Sequence, residues 1–284
     1  MTLSQLRLSI ITINYNNAEG LRKTLASVAS QTYRDIEHII VDAASTDSSV
    51  DVIRDYESAN RSSIHPLTIV WSSKKDKGIY NGMNIGIQRA TGEYVQILNS
   101  GDLLAAPDVT ARMMNALQVK GEEVEFLYGN MVKYDYTNNR TLGKSTEVEY
   151  SLRQYYTSTM NHDCCYIRRD LFETYGLYDE SLKIVSDWKW FLHTIGLGKV
   201  KPIYVDIDVT IFDASGISET NLALRNQERR QVLAELMPPA VLADYDAHAF
   251  EMEQMKRLRR WKLYPLVYFI ERVLFKLEKW KILR

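Results

Sequence analysis

Four apolar, strand-forming runs alternate with helical patterns in the first 105 residues, and this alternation constrains the fold more than any other feature. The runs are Leu6–Asn14, Ile36–Asp42, Leu67–Trp71 and Glu93–Leu98. Buried strands that are separated by helices usually pair in parallel, because each helix returns the chain to the same end of the sheet. The pattern therefore predicts an α/β fold, an open and mostly parallel sheet that is flanked by helices on both faces.

The segments between these runs carry signals for the ends of helices. Asn17 and Asp47 are predicted to cap the first two helices, since short polar side chains bind the free N–H groups of a first turn. A third helix is predicted over Tyr80–Ala90, and a fourth begins at Pro107, because proline is tolerated at the first helical position.

The texture of the sequence changes after about residue 123. Two strand-like segments, residues 124–136 and 140–148, flank Thr137-Asn138-Asn139 and predict a hairpin. A mixed region runs to about residue 218, and residues 219–284 are helical in pattern. We therefore predict one α/β domain over residues 1–218, with halves at 1–105 and 106–218, and a helical extension over 219–284.

Composition excludes several classes of protein. The 284 residues include 35 Lys+Arg and 36 Asp+Glu, and this balance is not that of a nucleic-acid binder. The two cysteines, Cys164 and Cys165, are adjacent and cannot form a disulfide framework. The N-terminus has no signal-peptide pattern, and no apolar run reaches the roughly 20 residues that span a bilayer. We expect a cytoplasmic protein.

Short polar side chains follow all four predicted strands. The segments are Thr12–Asn17, Asp42–Asp47, Asp76–Tyr80 with Asn84, and Asn99-Ser100-Gly101-Asp102. Each has an alternative explanation as a helix cap or a turn. Ligands of open α/β sheets bind beyond the carboxyl ends of the strands, so four such segments on one rim predict a nucleotide site. No GxGxxG or GxxxxGK[ST] motif is present, which argues against a dinucleotide fold and a P-loop.

The chain resembles family 2 glycosyltransferases of the GT-A fold. Three segments carry the resemblance: SIITINYNNAEGLRKTLASVASQTYRDIEHIIVDAASTDSS, DKGIYNGMNIGIQRATGEYVQILNSGD and YIRRDLFETYGLYDESLKIVSDWKWFL. The subgroup that it resembles contains bacterial enzymes of capsule, exopolysaccharide and O-antigen synthesis, of the colanic-acid type. The resemblance implies a catalytic domain over 1–218 with a nucleotide-sugar half (1–105) and an acceptor half (106–218). Nucleotide-sugar donors, mostly UDP-sugars, are expected.

The resemblance also implies roles for individual residues on the donor side. Asp42 matches the carboxylate that binds the pyrimidine ring, although it could instead cap the loop after its strand. Further donor-binding positions, along the nucleotide and its diphosphate, are Thr12, Tyr15, Asp76, Asn84, Asn99 and Gly101. The family's acidic metal motif reads Asn99-Ser100-Gly101-Asp102 here, so Asp102 is the single expected protein ligand of one Mg²⁺ or Mn²⁺ ion. Such an ion would bind together with the donor diphosphate.

On the acceptor side, Asp187 matches the family's catalytic base. A carboxylate there would take the proton of the attacking hydroxyl, as inversion at the anomeric carbon requires. The alternative is that Asp187 only caps its helix. His162 could face the acceptor or be structural, and Arg168 could meet the phosphate of a lipid-linked acceptor or lie on the surface.

A glycine-containing segment and a group of aromatic residues each have two interpretations. Residues 213–218 resemble a loop that closes over the donor, but a simple glycine-containing turn explains them as well. The aromatic side chains could stack on sugar rings, although core packing is the better expectation for them. They are Tyr155, Tyr156, Trp188 and Trp190.

The last 32 residues are basic and amphipathic. Residues 253–284 hold ten Lys/Arg and three Asp/Glu, whereas the remaining residues hold 25 and 33. Leu266, Ile270, Val273, Leu277 and Trp280 recur at helical spacing. This pattern favours an amphipathic helix that lies on the anionic inner face of a membrane. The alternative is that the apolar face packs on the catalytic domain or on a second subunit.

The resemblance therefore implies an inverting, metal-dependent glycosyltransferase that transfers a sugar to a glycan acceptor, which in this subgroup is usually linked to an undecaprenyl pyrophosphate carrier. The alternative from another class is a non-catalytic nucleotide-sugar-binding or scaffold protein of a polysaccharide assembly complex. Asp42, Asp102 and Asp187 are all present, which disfavours the scaffold. A sugar nucleotidyltransferase is disfavoured because the first strand is not followed by a Gly-rich triphosphate loop.

Overall fold

A computed structural model describes residues 6–121, 124–136, 138–213 and 221–282. Contacts between residues divide the chain into two compact units, residues 1–232 and 233–284. The boundary predicted between residues 218 and 219 and the predicted loop over 214–218 lie outside the described residues.

The first half has the predicted alternation of strands and helices. Strands β1 (Leu8–Asn14), β2 (Ile36–Asp42), β3 (Thr68–Ser73) and β4 (Tyr94–Ile97) alternate with helices α1 (Ala18–Ala29), α2 (Ser49–Arg61) and α3 (Ile79–Arg89). Strand β1 pairs in parallel with β2 and β4, and β2 pairs in parallel with β3. The prediction of a parallel sheet is confirmed.

The second half of this unit adds shorter and mixed elements. They are β5 (Leu103–Leu104), α4 (Val109–Lys120), β6 (Phe126–Asp135), β7 (Arg140–Ser145), α5 (Leu152–Thr157), β8 (Cys165–Arg168), α6 (Asp170–Tyr175), α7 (Ser186–Phe191) and β9 (Ile203–Asp213). A 3₁₀ turn, His162–Cys164, precedes β8. The described strands form one sheet in the order β3-β2-β1-β4-β8-β6-β9-β5, and β7 pairs with β6 as the predicted hairpin.

The remaining helices are α8 (Leu222–Leu236), α9 (Pro239–Arg259) and α10 (Tyr264–Ile282). Helix α8 lies at the end of the first unit, which includes its residues up to Val232. The second unit is therefore helical, in agreement with the sequence pattern. Among the described residues, no helix contains a stretch long and apolar enough to cross a membrane.

Burial of apolar side chains between sheet and helices stabilises the first unit. Leu21 and Leu25 of α1 pack with Ile40 of β2 and with Val52 and Ile53 of α2. Each fully buried side chain of this type contributes roughly 1.5–3 kcal/mol. Helix α3 lies so close to β1 that a Cβ on Gly86 would be 2.3 Å from Ile11 Cγ2, and only glycine fits there.

The helix caps are partly as predicted. Asn17 caps α1, because its side chain accepts a hydrogen bond from Gly20 N at 3.1 Å. Asp47 lies one residue before the cap of α2, where its carboxylate accepts from Ser49 N and from Ala18 N. The prediction that the fourth helix begins at Pro107 was wrong by two residues: α4 begins at Val109, and Asp108 occupies the cap position.

Candidate active site

The segment Asn99-Ser100-Gly101-Asp102 leaves β4 at the carboxyl edge of the sheet and is fixed by its neighbours. Ser100 N donates to Ile13 O at 3.1 Å, and Gly101 N donates to Thr24 Oγ1 at 2.9 Å. Gly101 has a φ of 110°, a conformation that glycine adopts without strain. The segment therefore presents Asn99 and Asp102 from a rigid turn, and Gly101 contributes the backbone conformation.

A cavity of about 690 Å³ lies beyond the ends of β1, β2 and β3. Its walls include Tyr15, Ala43, Ala44, Asp76, Asn99 and Ser100. Tyr15 is 64% exposed, so its ring is available for contact with a ligand. Asp76 accepts a hydrogen bond from Gly78 N at 2.9 Å, which orients its carboxylate. Tyr15, Asp76 and Asn99 thus lie together as the sequence predicted.

Besides Gly101, three predicted donor-binding residues do not line this cavity. Asp42 is fully buried, and its carboxylate accepts hydrogen bonds from Asn14 Nδ2, Ser45 N, Ser45 Oγ and Ser73 Oγ. Thr12 is also fully buried, with its hydroxyl 3.0 Å from His38 Nε2. The alternative for Asp42, that it orders the loop after its strand, agrees with these contacts, and Ala43 takes the position at the cavity wall.

Asn84, the third of these residues, connects α3 to the loop before α7. Its side chain donates to Tyr178 O at 2.8 Å and accepts from Tyr178 N at 3.0 Å. Its amide also donates to Glu180 Oε1 at 3.0 Å. The side chain is buried, and these contacts use its donor and acceptor groups in holding two segments together. Its position is therefore structural.

A second cavity, of about 570 Å³, adjoins the first and shares four wall residues with it. The shared residues are Asn17, Ile79, Asn99 and Ser100. Asp102, His162 and Asp187 line the second cavity only. The two cavities are thus neighbours, and Asn99 and Ser100 lie in the wall of both.

Asp187 has a defined environment in the second cavity. Its Oδ1 accepts a hydrogen bond from the hydroxyl of Tyr80 at 2.9 Å, and its Oδ2 lies 3.1 Å from His162 Nδ1. The side chain is 16% exposed, so part of it faces the cavity. Helix α7 begins at Ser186, and its cap residue, Val185, makes no side-chain capping bond. The interpretation of Asp187 as the helix cap is therefore wrong.

The protonation states of this cluster are set by burial and by the neighbouring groups. Burial acts to raise the pKa of Asp187, but the hydrogen bonds from His162 and Tyr80 and the charge of His162 lower it below its ordinary value. For His162, burial lowers the pKa, but Asp187, together with the charges of Asp163 and Asp102, outweighs this effect and raises it. Burial and the charge of Asp187 raise the pKa of Tyr80 well above its usual range. The carboxylate is therefore ionised, as a proton acceptor must be.

Asn99 connects its segment to Asp187 through His162. Its Nδ2 lies 3.1 Å from His162 Nε2, and its Oδ1 is buried with no hydrogen-bond partner among the described residues. Asp102 is 5% exposed and also faces the cavity. A carboxylate and an amide oxygen fit a divalent cation that takes its other ligands from phosphates and water. Within the described part of the chain, no three acidic, His or Cys side chains cluster as a complete metal site.

Arg168 lines neither cavity. Its guanidinium donates to Glu125 Oε1 at 3.0 Å and to Asp170 Oδ1 at 2.8 Å. These two carboxylates compensate its charge, which agrees with the alternative of a surface residue. Among the aromatic side chains, Tyr155 and Trp190 are buried in the core as expected, and Trp188 is buried but lines the second cavity.

Sequence reasoning did not connect four residues with the surroundings of Asp187. Tyr80 was assigned to the segment after the third strand and to the start of a helix, although its hydroxyl reaches Asp187 across 107 positions of sequence. Helix α8 contributes Arg225, Glu228 and Arg229, of which the two arginines line the second cavity. Glu228 is buried and accepts hydrogen bonds from Lys183 N and Ile184 N, just before α7. The i, i+4 spacing of the arginines is the one signal that indicates a shared helix face.

The chain is similar to known glycosyltransferases. Residues 9–176 match the model of the family described as glycosyl transferase family 2. An uncharacterized glycosyltransferase of Mycobacterium tuberculosis is 32% identical over 212 residues, which are 74% of this chain and 76% of the relative. A PGL/p-HBAD biosynthesis glycosyltransferase of Mycobacterium bovis is 28% identical over 215 residues, covering 75% and 79% of the two chains.

Solved structures of the same fold include S. aureus TarS and an archaeal enzyme. Residues 1–349 of TarS, in complex with UDP-GlcNAc, superpose with a TM-score of 0.64 at 19% identity over 84% of this chain and 70% of TarS. The mannosyltransferase PcManGT from Pyrobaculum calidifontis, in complex with GDP-Man and Mn²⁺, superposes with a TM-score of 0.60 at 19% identity. The superposition covers 87% of this chain and 70% of PcManGT. With its family match and its GT-A architecture, the chain belongs to glycosyltransferase family 2 and is a glycosyltransferase.

Proposed function

We propose that this chain transfers a sugar from a nucleoside-diphosphate-sugar donor, a UDP-sugar, to a glycan acceptor with inversion at the anomeric carbon. One observation carries the proposal: the ionised carboxylate of Asp187 faces the same cavity as Asp102, next to the cavity at the strand ends. Two neighbouring cavities of this kind accommodate donor and acceptor together. The bound UDP-GlcNAc and GDP-Man of the neighbours support a nucleotide-sugar donor.

The donor lies across the junction of the two cavities in this proposal. The nucleoside occupies the first cavity, where Tyr15 offers a ring face for stacking and Asp76 offers an acceptor for an N–H group of the base. The diphosphate lies at the Asn99–Asp102 segment, and the sugar enters the second cavity. Asp42 supports this site indirectly, since its hydrogen bonds hold the loop that carries Ala43 and Ala44.

Asp187 is the base of the proposed reaction. The acceptor hydroxyl attacks the anomeric carbon on the face opposite the diphosphate, and its proton passes to the carboxylate of Asp187. The new C–O bond forms as the bond to the phosphate oxygen breaks, and the nucleoside diphosphate leaves with the electron pair. Tyr80 and His162 are positioning residues, because each holds one carboxylate oxygen of Asp187.

Asp102 and Asn99 would hold one Mg²⁺ or Mn²⁺ ion together with the donor diphosphate. Such an ion neutralises the charge that develops on the leaving diphosphate. The buried Oδ1 of Asn99 and the carboxylate of Asp102 are oxygen ligands of the kind that these ions prefer. The Mn²⁺ of the mannosyltransferase complex is a further argument for a metal.

The acceptor is proposed to be a glycan on a lipid carrier at the inner face of the cytoplasmic membrane, in synthesis of a bacterial surface polysaccharide. The exposed apolar side chains of α10 support this location, since they include Leu266, Phe269, Ile270 and Leu277. The relative that is named for PGL/p-HBAD biosynthesis supports a role in making a glycoconjugate.

A donor panel tests the proposed activity. Purified protein is incubated with Mn²⁺ and with UDP-, GDP- and dTDP-sugars, and the released nucleoside diphosphate is measured. We expect slow hydrolysis of one donor class, the UDP-sugars, because water takes the place of the missing acceptor. Binding of a nucleotide-sugar with no turnover, even with added glycan acceptors, would support the scaffold protein instead.

A further inference from the structure

Helix α8 brings two arginines to the wall of the second cavity. Arg225 and Arg229 are four residues apart, so they lie one above the other on the same face of the helix. Lys183, from the loop before α7, lines the same cavity. Three cationic side chains thus face the space into which the donor sugar and the acceptor must enter.

Arg229 is held in a fixed orientation. Its guanidinium lies over the ring of Trp188, 4.4 Å from the centroid, and its Nη2 donates to Ser158 O at 2.9 Å. A planar guanidinium that is stacked and hydrogen-bonded on one side keeps its remaining donors in a fixed plane. Such an arrangement is suited to binding an oxyanion through two parallel hydrogen bonds.

The two arginines are close enough to oppose each other's charge. Burial and, to a smaller extent, the positive charge of Arg225 together lower the pKa of Arg229 to about 10, whereas Asp187 acts in the opposite direction. An anion between the two guanidinium groups relieves this repulsion. Asp163 and Asp187 line the same cavity and have hydrogen-bond partners elsewhere. Asp163 accepts a hydrogen bond from Thr210, and Asp187 is hydrogen-bonded to Tyr80 and His162.

We propose that Arg225 and Arg229, with Lys183 beside them, form an anion subsite that binds a phosphate group of a substrate. The inference rests on the proposed function, because it names the chemistry of a group that enters the transfer site. The phosphate has two possible sources, the diphosphate of the donor and a phosphate carried by the acceptor. Arg168, which the sequence suggested for an acceptor phosphate, is paired with Glu125 and Asp170 and does not line the cavity.

Calorimetry of the full chain tests the subsite with two phosphate probes. UDP with Mg²⁺ represents the donor diphosphate. Glucose 1-phosphate, titrated into the protein saturated with UDP, represents an acceptor phosphate, and methyl glucoside is its uncharged control. The variants are Arg225→Gln, Arg225→Lys and Arg229→Lys, and Arg230→Gln is the matched control because Arg230 is exposed on the same helix and does not line the cavity.

We expect Arg225→Gln to weaken the binding of one phosphate probe by about tenfold, as loss of a charge-assisted hydrogen bond implies. Arg225→Lys keeps the charge and loses less affinity, and Arg230→Gln stays within about twofold of the wild type. Weakening confined to UDP identifies the donor diphosphate as the ligand, and weakening confined to glucose 1-phosphate identifies an acceptor phosphate. Methyl glucoside is unaffected in both cases.

Wild-type affinity of Arg225→Gln and Arg229→Lys for both phosphate probes would overturn the subsite, and so would failure of the wild type to bind either probe. Thermal unfolding of each variant separates loss of binding from loss of folding. If Arg225→Gln does not fold, the binding of the probes by Arg229→Lys and the salt dependence of wild-type binding test the subsite instead. Arginine-dependent binding of glucose 1-phosphate without any binding of UDP would keep the subsite and reject the proposed donor.

Discussion

At the residue scale, we expect His162 to set the pH dependence of Asp187 in its proposed role as the base. The imidazole is the main group that lowers the pKa of Asp187 against the effect of burial. In His162→Gln that effect is lost, and the pKa of Asp187 rises. Because the base works ionised, the acidic limb of kcat/KM moves to higher pH in the variant, and activity is lost first at low pH.

A pH profile of donor hydrolysis measures this shift. His193→Gln is the control, since His193 is exposed and does not line the cavity. Tyr80→Phe removes the weaker of the two side-chain hydrogen bonds that lower the pKa of Asp187 and shifts the acidic limb in the same direction by less. An acidic limb that stays in place in His162→Gln would mean that His162 does not act on the base.

Asp102 is the residue on which metal-dependent donor binding depends in this account. Asp102→Ala removes the carboxylate ligand, so Mn²⁺ no longer tightens the binding of UDP. Calorimetry with and without Mn²⁺ measures the difference, and Asp108→Ala, an exposed carboxylate nearby in the sequence, is the control. If Asp102→Ala still binds UDP more tightly with metal, another group holds the ion.

The placement of single residues shows where prediction from sequence ends. The first four strands followed from the apolar runs, and the polar strand ends followed with them. Strand β2 is buried along its whole length, so no alternation of polar and apolar residues tells which side chains face a cavity. A shift of one residue changes the face. Asp42 therefore points into a hydrogen-bond network while Ala43 lines the cavity.

At the scale of elements, α8 holds the loop that leads to Asp187. Glu228 accepts hydrogen bonds from Lys183 N at 2.8 Å and from Ile184 N at 2.9 Å. In Glu228→Gln an amide N–H group faces one of these buried N–H groups, and one hydrogen bond is lost. We expect the free energy of unfolding to fall by about 1–3 kcal/mol and turnover to fall because the start of α7 is less well held.

Urea unfolding and donor hydrolysis together check this prediction. Glu19→Gln is the matched control, because Glu19 is exposed on α1 with a side chain that is 74% accessible, and it should change stability by no more than about 0.5 kcal/mol. Stability and turnover like those of the wild type would show that α8 does not support the base.

The position of α8 beside the second cavity could not be predicted from the sequence. Arg225 and Arg229 lie more than 100 positions after the Asn99–Asp102 segment, with which they share the second cavity. The sequence pattern of residues 219–284 indicates helices but not where they pack. The Tyr80–Asp187 contact is of the same kind, since only the folded chain joins α3 to α7. Local periodicity predicts elements, whereas such long-range contacts depend on tertiary packing.

At the scale of the whole molecule, the basic C-terminal helix is proposed to bind an anionic membrane. Leu266, Phe269, Ile270 and Leu277 of α10 are between 48% and 64% exposed, and Arg272 and Lys276 are exposed among them. An exposed apolar surface next to basic residues is typical of helices that lie in the membrane interface. Each basic residue near an anionic surface contributes about 1 kcal/mol, so binding weakens as salt is raised.

Co-sedimentation with vesicles tests this prediction. The full chain should bind vesicles that contain phosphatidylglycerol more strongly than vesicles of phosphatidylcholine. Phe269→Ser with Ile270→Ser should release it, whereas Ile64→Ser, an exposed apolar residue of the first unit, should not. Binding that does not respond to anionic lipid, to salt or to truncation before Met255 would favour the alternative, that the helix packs on protein.

The central claim is that Asp187 activates an acceptor hydroxyl for inversion at the anomeric carbon. Its most direct test uses an α-configured donor that the donor panel shows to be hydrolysed. Proton NMR then identifies the anomer of the sugar that is released first. We predict that the β-anomer forms first, because water attacks opposite the diphosphate, and that Asp187→Asn lowers the rate by about 10²–10⁴-fold with donor affinity near that of the wild type. Release of the α-anomer first, or wild-type turnover by Asp187→Asn, would contradict the account.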